Sequence, residues 1–165
     1  MKKYSVIIPF HSNANLLSAC IFSLSKTLNP EKSEIIIVDN NADGSQIPFG
    51  FQLPTQCRII HKKENLLYPK AINLGVQSAK GNYLIFCDAD TCVTDNFYKG
   101  MVALLESGKA GYVSAKLLNM QTNSILEFGI TSSFYNFPHP FSGRERNFEL
   151  CKKDTFHLAA CAACS

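Results

Sequence analysis

The stretch "NYLIFCDADT", residues 82–91, runs apolar for most of its length and then stops at two acids separated by one alanine. If strand geometry continues through both, Asp88 and Asp90 point to the same face about 6 to 7 Å apart, because strand side chains alternate with a period of two. Like charges at that distance repel by roughly 2 to 3 kcal/mol at an effective dielectric of about 20. No basic residue stands between them, so the pair asks for a cation from outside the segment. A plainer reading is open at this point: solvated acids at a strand end, one of them capping the next helix.

Ahead of this stretch, short β-rich runs alternate with helical periods, the pattern of β-α-β units around a parallel sheet. YSVIIPF (4–10) and EIIIVD (34–39) are near-continuous apolar runs, as strands covered on both faces should be. Between them, with Ser12 or Asn13 as cap, Leu17, Cys20, Ile21, Leu24 and Leu28 recur at helical spacing, and Asn29-Pro30 ends the helix. NNADGS reads as the turn after the second strand, and CRIIH (57–61) as a third strand. Pro69 suits the first turn of a helix carrying Ala71, Ile72, Val76 and Ala79, with Gly81 placed to terminate it. NYLIFC (82–87) is the fourth strand. Thr94 or Asp95 can cap a helix through Phe97, Val102 and Leu105 that Gly108 closes. Beyond residue 110 the runs YVSAKLL, SILEFGI and TFHLAAC, separated by loops, predict mixed or antiparallel strands at the sheet's edge. Residues 131–147 form an aromatic, turn-rich loop.

A chain of 165 residues, 46% hydrophobic and 18% charged, has room for one substantial core and not for two. A net charge of +3 is too small, and its lysines and arginines too scattered, for a nucleic-acid binder. Lys2-Lys3, Lys62-Lys63, Arg144 with Arg146, and Lys152-Lys153 read as solvated surface, with weak attraction to an anionic substrate or a membrane as the second reading. The apolar start breaks at Pro9 and His11 without a cleavage site, and no run reaches the length of a membrane span. The expected location is the cytoplasm, free or at the inner face of the membrane. Seven cysteines fit that compartment as small hydrophobes, and Cys161-x-x-Cys164 lacks the second pair that a zinc site needs.

In an open parallel sheet, ligands sit outside the carboxyl ends of the strands near the switch in strand order. Three strand ends here carry polar or special residues: Pro9-Phe10-His11, Asp39-Asn40-Asn41 and Asp88-Ala89-Asp90. Paired carboxylates with a gap between them suit a hard divalent ion, Mg2+ or Mn2+, whose shell phosphate oxygens and water complete. The implied substrate carries a pyrophosphate, and the metal would neutralise the charge on a departing diphosphate. Asp39 could accept hydrogen bonds from a base or ribose, or act as a turn acid. His11 could stack on a base, hold a phosphate, or be an ordinary loop residue. Asn65 and Asn73 flank a stretch from which Lys70 could reach the ligand, its plainer role being an exposed helix lysine.

YSVIIPFHSNANLLSACIFSL, EIIIVDNNADGS and ENLLYPKAINLGVQSAKGNYLIFCDADT, with ILEFGITSSF and FPHPFSG more loosely, resemble the family 2 glycosyltransferases. That resemblance implies an α/β GT-A fold, a nucleotide-binding sandwich with a mainly parallel central sheet flanked by helices. It also implies a nucleoside-diphosphate sugar donor, a UDP-sugar first, and a saccharide or lipid-linked acceptor in surface polysaccharide biosynthesis. Pro9 and His11 stand where the family's first loop wraps the nucleotide, Asp39 where an acid addresses the base, and Asp88 and Asp90 where the D-x-D motif meets ribose, diphosphate and metal. Asp90 is then the firmer metal ligand.

Two departures accompany it. The family commonly writes N-x-G before the second helix, and here the order is Asn65-Leu66-Leu67. Inverting members take their base from a downstream carboxylate, and Glu127, Glu145, Glu149 and Asp154 are single acids outside that motif. The catalytic base is therefore unassigned. The expectation is one domain over 1–165, with 1–95 the nucleotide-binding half and 96–165 a partial acceptor side cut short at HLAACAACS, whose apolar character leaves room for oligomer formation. Two alternatives follow: a haloacid-dehalogenase-type phosphatase with Asp88 as nucleophile and Asp90 as general acid, and a sheet that binds a nucleotide sugar without catalysis. The absence of G-x-G-x-x-G after the first strand disfavours a dehydrogenase.

Overall fold

The structure, a computed structural model, describes residues 3–41, 47, 52–127 and 161–164, the last four and residues 126–127 through their backbone. The loop 131–147 and the acids Glu145, Glu149 and Asp154 lie outside the described residues. In chain order the elements are β1 (Tyr4–Phe10), α1 (Ala14–Thr27), β2 (Ser33–Asp39), β3 (Cys57–His61), α2 (Leu67–Ser78), β4 (Tyr83–Cys87), α3 (Phe97–Glu106), β5 (Tyr112–Ser114), β6 (Leu117–Leu118), β7 (Ile125–Glu127) and β8 (Cys161–Cys164). Six strands make one sheet in the order β3-β2-β1-β4-β8-β5, and β6 pairs with β7 apart from it. The first four strands run parallel, while β8 pairs antiparallel with both β4 and β5.

The continuous apolar runs are explained by cover on both faces. Val6, Ile8 and Phe10 of β1, Ile35 and Ile37 of β2, and Ile85 and Cys87 of β4 join one core. Leu17, Cys20, Ile21 and Leu24 of α1 and Met101 and Leu105 of α3 complete it. The alternate residues Ile36 and Val38 pack on the opposite face against Ala71 of α2. Gly75 lets that helix lie close to β1, since a Cβ there would run into Ile7 Cγ2. These two packings fix where the ends of β1, β2 and β4 stand relative to the start of α2.

The helix ends differ in detail from the sequence expectation. Asn13 caps α1 in a left-handed backbone, φ 70°, with its side chain accepting from Leu16 N–H at 3.3 Å. The cap of α3 is Asn96, φ 60°, and not Thr94 or Asp95, because asparagine tolerates this conformation better than most residues. The second helix stops at Ser78, ahead of Gly81. Gly81 serves the sheet instead: its N–H donates to Ser5 Oγ at 2.8 Å, and a Cβ would sit 2.5 Å from the Tyr4 carbonyl carbon. The apolar end of the chain also has a use. Both backbone edges of β8 are paired inside the chain, to β4 and to β5.

Candidate functional site

The parallel part of the sheet has its switch point between β1 and β4: the chain moves outward from β1 to β2 and β3, then crosses back to β4. Neighbouring connections leave the sheet there in opposite directions and open a crevice at the carboxyl ends. Phe10, Asp39 and His61 end their strands in register, Phe10 opposite Asp39 and Asp39 opposite His61.

Strand geometry does not continue through the two acids. Pairing of β4 ends at Cys87, and Asp88 to Thr91 form a turn closed by Thr91 N–H donating to the Asp88 carbonyl at 3.1 Å. Same-face alternation therefore does not govern Asp88 and Asp90; the turn does. That carbonyl also accepts weak thiol hydrogen bonds from Cys20 and Cys87, at 3.6 and 3.7 Å. Val93 N–H donates to Ser23 Oγ at 3.0 Å, tying the same segment to α1. The backbone that carries the acids is thus pinned to α1.

Burial pushes the Asp88 carboxyl above the usual aspartate range and the neighbouring charge of Asp90 adds to this, while a hydrogen bond from Tyr68 opposes it. That bond runs from Tyr68 Oη to Asp88 Oδ1 at 3.1 Å. Burial, then the Asp88 charge, raises the Tyr68 phenol in turn, so it stays a proton donor.

Beside this turn lies a crevice of about 240 Å³, walled by Pro9, Phe10 and His11 from the end of β1, by Asn40, and by Asn65, Leu67 and Tyr68. Asn40, 5% exposed, is its organising residue. Its Nδ2 donates to Asn65 Oδ1 at 2.9 Å, its Oδ1 accepts from Leu66 N–H at 2.5 Å, and its N–H donates to the Phe10 carbonyl at 2.7 Å. Asn65 Oδ1 also accepts from Leu67 N–H at 2.8 Å. Leu67 adopts φ 59°, the left-handed backbone that glycine takes without strain. At the position where the family commonly has glycine, Leu67 thus carries a strained backbone.

The remaining expected site residues divide. Pro9, His11 and Asn65 line the crevice, and His11 Nδ1 lies 3.4 Å from the Asn40 carbonyl. Asp39 is buried beneath it, with Oδ1 accepting from Asn41 N–H at 3.1 Å and Oδ2 2.8 Å from His61 Nδ1. Lys70 is on the other side of the 65–68 segment, in a second groove with Lys62, Asn73 and Gln77. Tyr68 and the two cysteines under Asp88 were given no site role by sequence reasoning, and Asn40 was named only as part of a polar strand end, without a role of its own. Only Asn40 carried a signal, an asparagine at a strand end directly after a buried run. Away from the site, burial pushes the Cys57 thiol up to about 12.

Chemically, the arrangement offers hard oxygen donors from Asp88 and Asp90 beside a crevice lined by aromatic and amide groups. Among the described residues no three of His, Cys, Asp or Glu cluster as a metal centre. The two carboxylates suit Mg2+ or Mn2+ provided a ligand's phosphate oxygens and water fill the rest of the shell.

The family model described as "Glycosyl transferase family 2" matches residues 5–164. Glycosyltransferase GlyG of Streptococcus pneumoniae is 24% identical over 117 residues, which cover 70% of this chain and 39% of that protein. The poly(ribitol-phosphate) beta-glucosyltransferase of Bacillus spizizenii is 32% identical over 108 residues, 62% of this chain and 16% of that one. The crystal structure of S. aureus TarS 1–349 in complex with UDP superposes with a TM-score of 0.61 at 18% identity, covering 79% of this chain and 40% of that chain. The chain therefore spans less than half the length of the relatives it matches, and the structural likeness establishes the shared α/β fold with its mainly parallel sheet.

Proposed function

The chain belongs to glycosyl transferase family 2, and on that footing we propose that it binds a nucleoside-diphosphate sugar, a UDP-sugar first, and takes part in moving the sugar to a hydroxyl acceptor. The observation that carries this reading is the position of the Asp88–Thr91 turn, at the switch point and joined through Tyr68 to the wall of the crevice. The UDP in the TarS complex supports the choice of base. Family membership also replaces the phosphatase alternative in which Asp88 is a nucleophile.

In the proposed reaction the acceptor hydroxyl attacks the anomeric carbon as the bond to the diphosphate breaks, with inversion, and the hydroxyl proton passes to a general base. Pro9, His11 and the Asn40–Asn65 pair hold the nucleoside, and the buried Asp39 supports the crevice from below and offers its remaining lone pairs to the base. Asp88 and Asp90 would hold Mg2+ or Mn2+, which would supply charge neutralisation for the leaving diphosphate. Lys70 and its groove lie to the side and contribute long-range attraction for an anionic ligand. The acceptor is a saccharide or lipid-linked molecule of a surface polymer, and the name of the Bacillus relative, a poly(ribitol-phosphate) beta-glucosyltransferase, supports a hydroxyl-bearing polymer. No helix among the described residues is long and apolar enough to cross a membrane, and a peripheral role at its cytoplasmic face fits a lipid-linked acceptor.

Calorimetry with UDP, GDP, CDP and ADP, each with and without Mn2+, tests the donor reading. UDP should bind tightest and bind more tightly with Mn2+. Equal, metal-independent binding of all four would contradict it.

A further inference from the structure

Tyr68 is the second residue of α2, its ring lines the crevice, and its hydroxyl reaches across to the end of β4. Both ends of that bridge are fixed at the backbone. On the helix side, Leu66 N–H is held by Asn40 and Leu67 N–H by Asn65. On the strand side, the Asp88 carbonyl is held by Thr91 N–H and two buried thiols. What remains free at Asp88 is side-chain rotation, and the 3.1 Å bond from Tyr68 Oη to Oδ1 stops it. Oδ1 accepts from Tyr68 on one side, so Oδ2 and the second lone pair of Oδ1 are held in a fixed direction for any other partner.

We infer that Tyr68 is a positioning residue that fixes the Asp88 carboxylate for the divalent cation while its ring bounds the nucleotide crevice. The inference rests on the metal-assisted donor reading and deepens it. Outer-shell partners of ligating carboxylates carry about 10- to 100-fold of metal affinity, so the phenol oxygen has an effect separable from that of the ring. Removing the oxygen alone should loosen the cation and leave the crevice as it is.

The test uses the whole chain and the substitution Tyr68→Phe. Mn2+ is titrated in the presence of saturating UDP, with free Mn2+ followed by its electron paramagnetic resonance signal, and UDP affinity is measured separately without metal. Y68F should bind Mn2+ about 10-fold more weakly or worse, a loss larger than any accompanying change in metal-free UDP affinity. In an Asp88→Ala background Y68F should cause no further loss, which keeps the test informative if the phenylalanine also shifts stability. Unchanged Mn2+ affinity in Y68F, or an equal loss in the D88A background, overturns the inference while leaving the donor reading intact. UDP binding without any Mn2+ binding by the unaltered chain overturns the metal reading itself, and the inference with it.

Discussion

Asn40 Nδ2 donates to Asn65 Oδ1 at 2.9 Å, and through this bond the end of β2 sets the path by which the chain enters α2. The same amide accepts from Leu66 N–H, so one buried side chain satisfies a backbone donor and orients a crevice wall. Asn40→Ala removes both bonds and strands that N–H. The expected cost is about 2 to 3 kcal/mol of stability in urea unfolding, with weaker UDP binding in calorimetry. Wild-type stability in the variant would show that the amide pair does not set this segment.

Leu67 is 67% exposed and holds φ 59°, a conformation that costs an L-residue roughly 1 to 2 kcal/mol. Leu67→Gly should therefore raise stability by about 1 kcal/mol, because little buried surface is lost and the strain is relieved. Leu67→Ala keeps the strain and should stay within about 0.5 kcal/mol of the parent. A lower unfolding midpoint for L67G than for L67A would rule out this account of the strain.

Glu34 sits at the opposite end of the sheet from the crevice. It accepts from Ser5 Oγ at 2.7 Å and from Lys80 N–H at 2.6 Å, and pairs with Arg58 Nε at 3.4 Å. Burial pushes its carboxyl up, but the Ser5 and Lys80 hydrogen bonds and the Arg58 charge outweigh burial and hold it below the ordinary glutamate value. The folded state then binds fewer protons than the unfolded one through this range. Its contribution is complete above the ordinary glutamate pKa and is lost as pH falls through the lower folded value. Unfolding free energy should accordingly drop on acidification, and Glu34→Gln should flatten that drop; an identical pH dependence in E34Q would count against the network.

Gly81 has backbone neighbours that cannot move aside: an alanine methyl there would stand 2.5 Å from the Tyr4 carbonyl carbon and 2.6 Å from Ser5 N. Gly81→Ala should cost about 2 to 3 kcal/mol, read as a lower denaturation midpoint with the slope preserved. A neutral effect would mean that β1 and the approach to β4 can separate without loss.

Much of the fold was legible because β1, β2 and β4 are covered on both faces and so read as unbroken apolar runs, while α1 writes its buried residues at helical spacing. The insertion of β8 between β4 and β5 was not legible: antiparallel pairing of Leu84 with Cys164 joins residues far apart in the chain, and nothing local records it. At the site, Asp88 and Asp90 announced themselves as acids ending an apolar run, yet their geometry follows from a hydrogen-bonded turn that alternation cannot foresee. The roles of Tyr68 and Asn40 were hidden for a related reason. Their contacts reach Asp88 and Asn65 on other elements, and a single tyrosine or asparagine fits too many roles for its position to declare one.

In the proposed reading, Asp88 and Asp90 hold a divalent cation against the diphosphate of a bound nucleotide. Calorimetry of UDP binding to Asp90→Ala, with and without Mn2+, addresses it most directly. The expected result is a folded variant that has lost the Mn2+-dependent gain in UDP affinity while its metal-free binding persists. Retention of the full Mn2+ effect in D90A would contradict the claim.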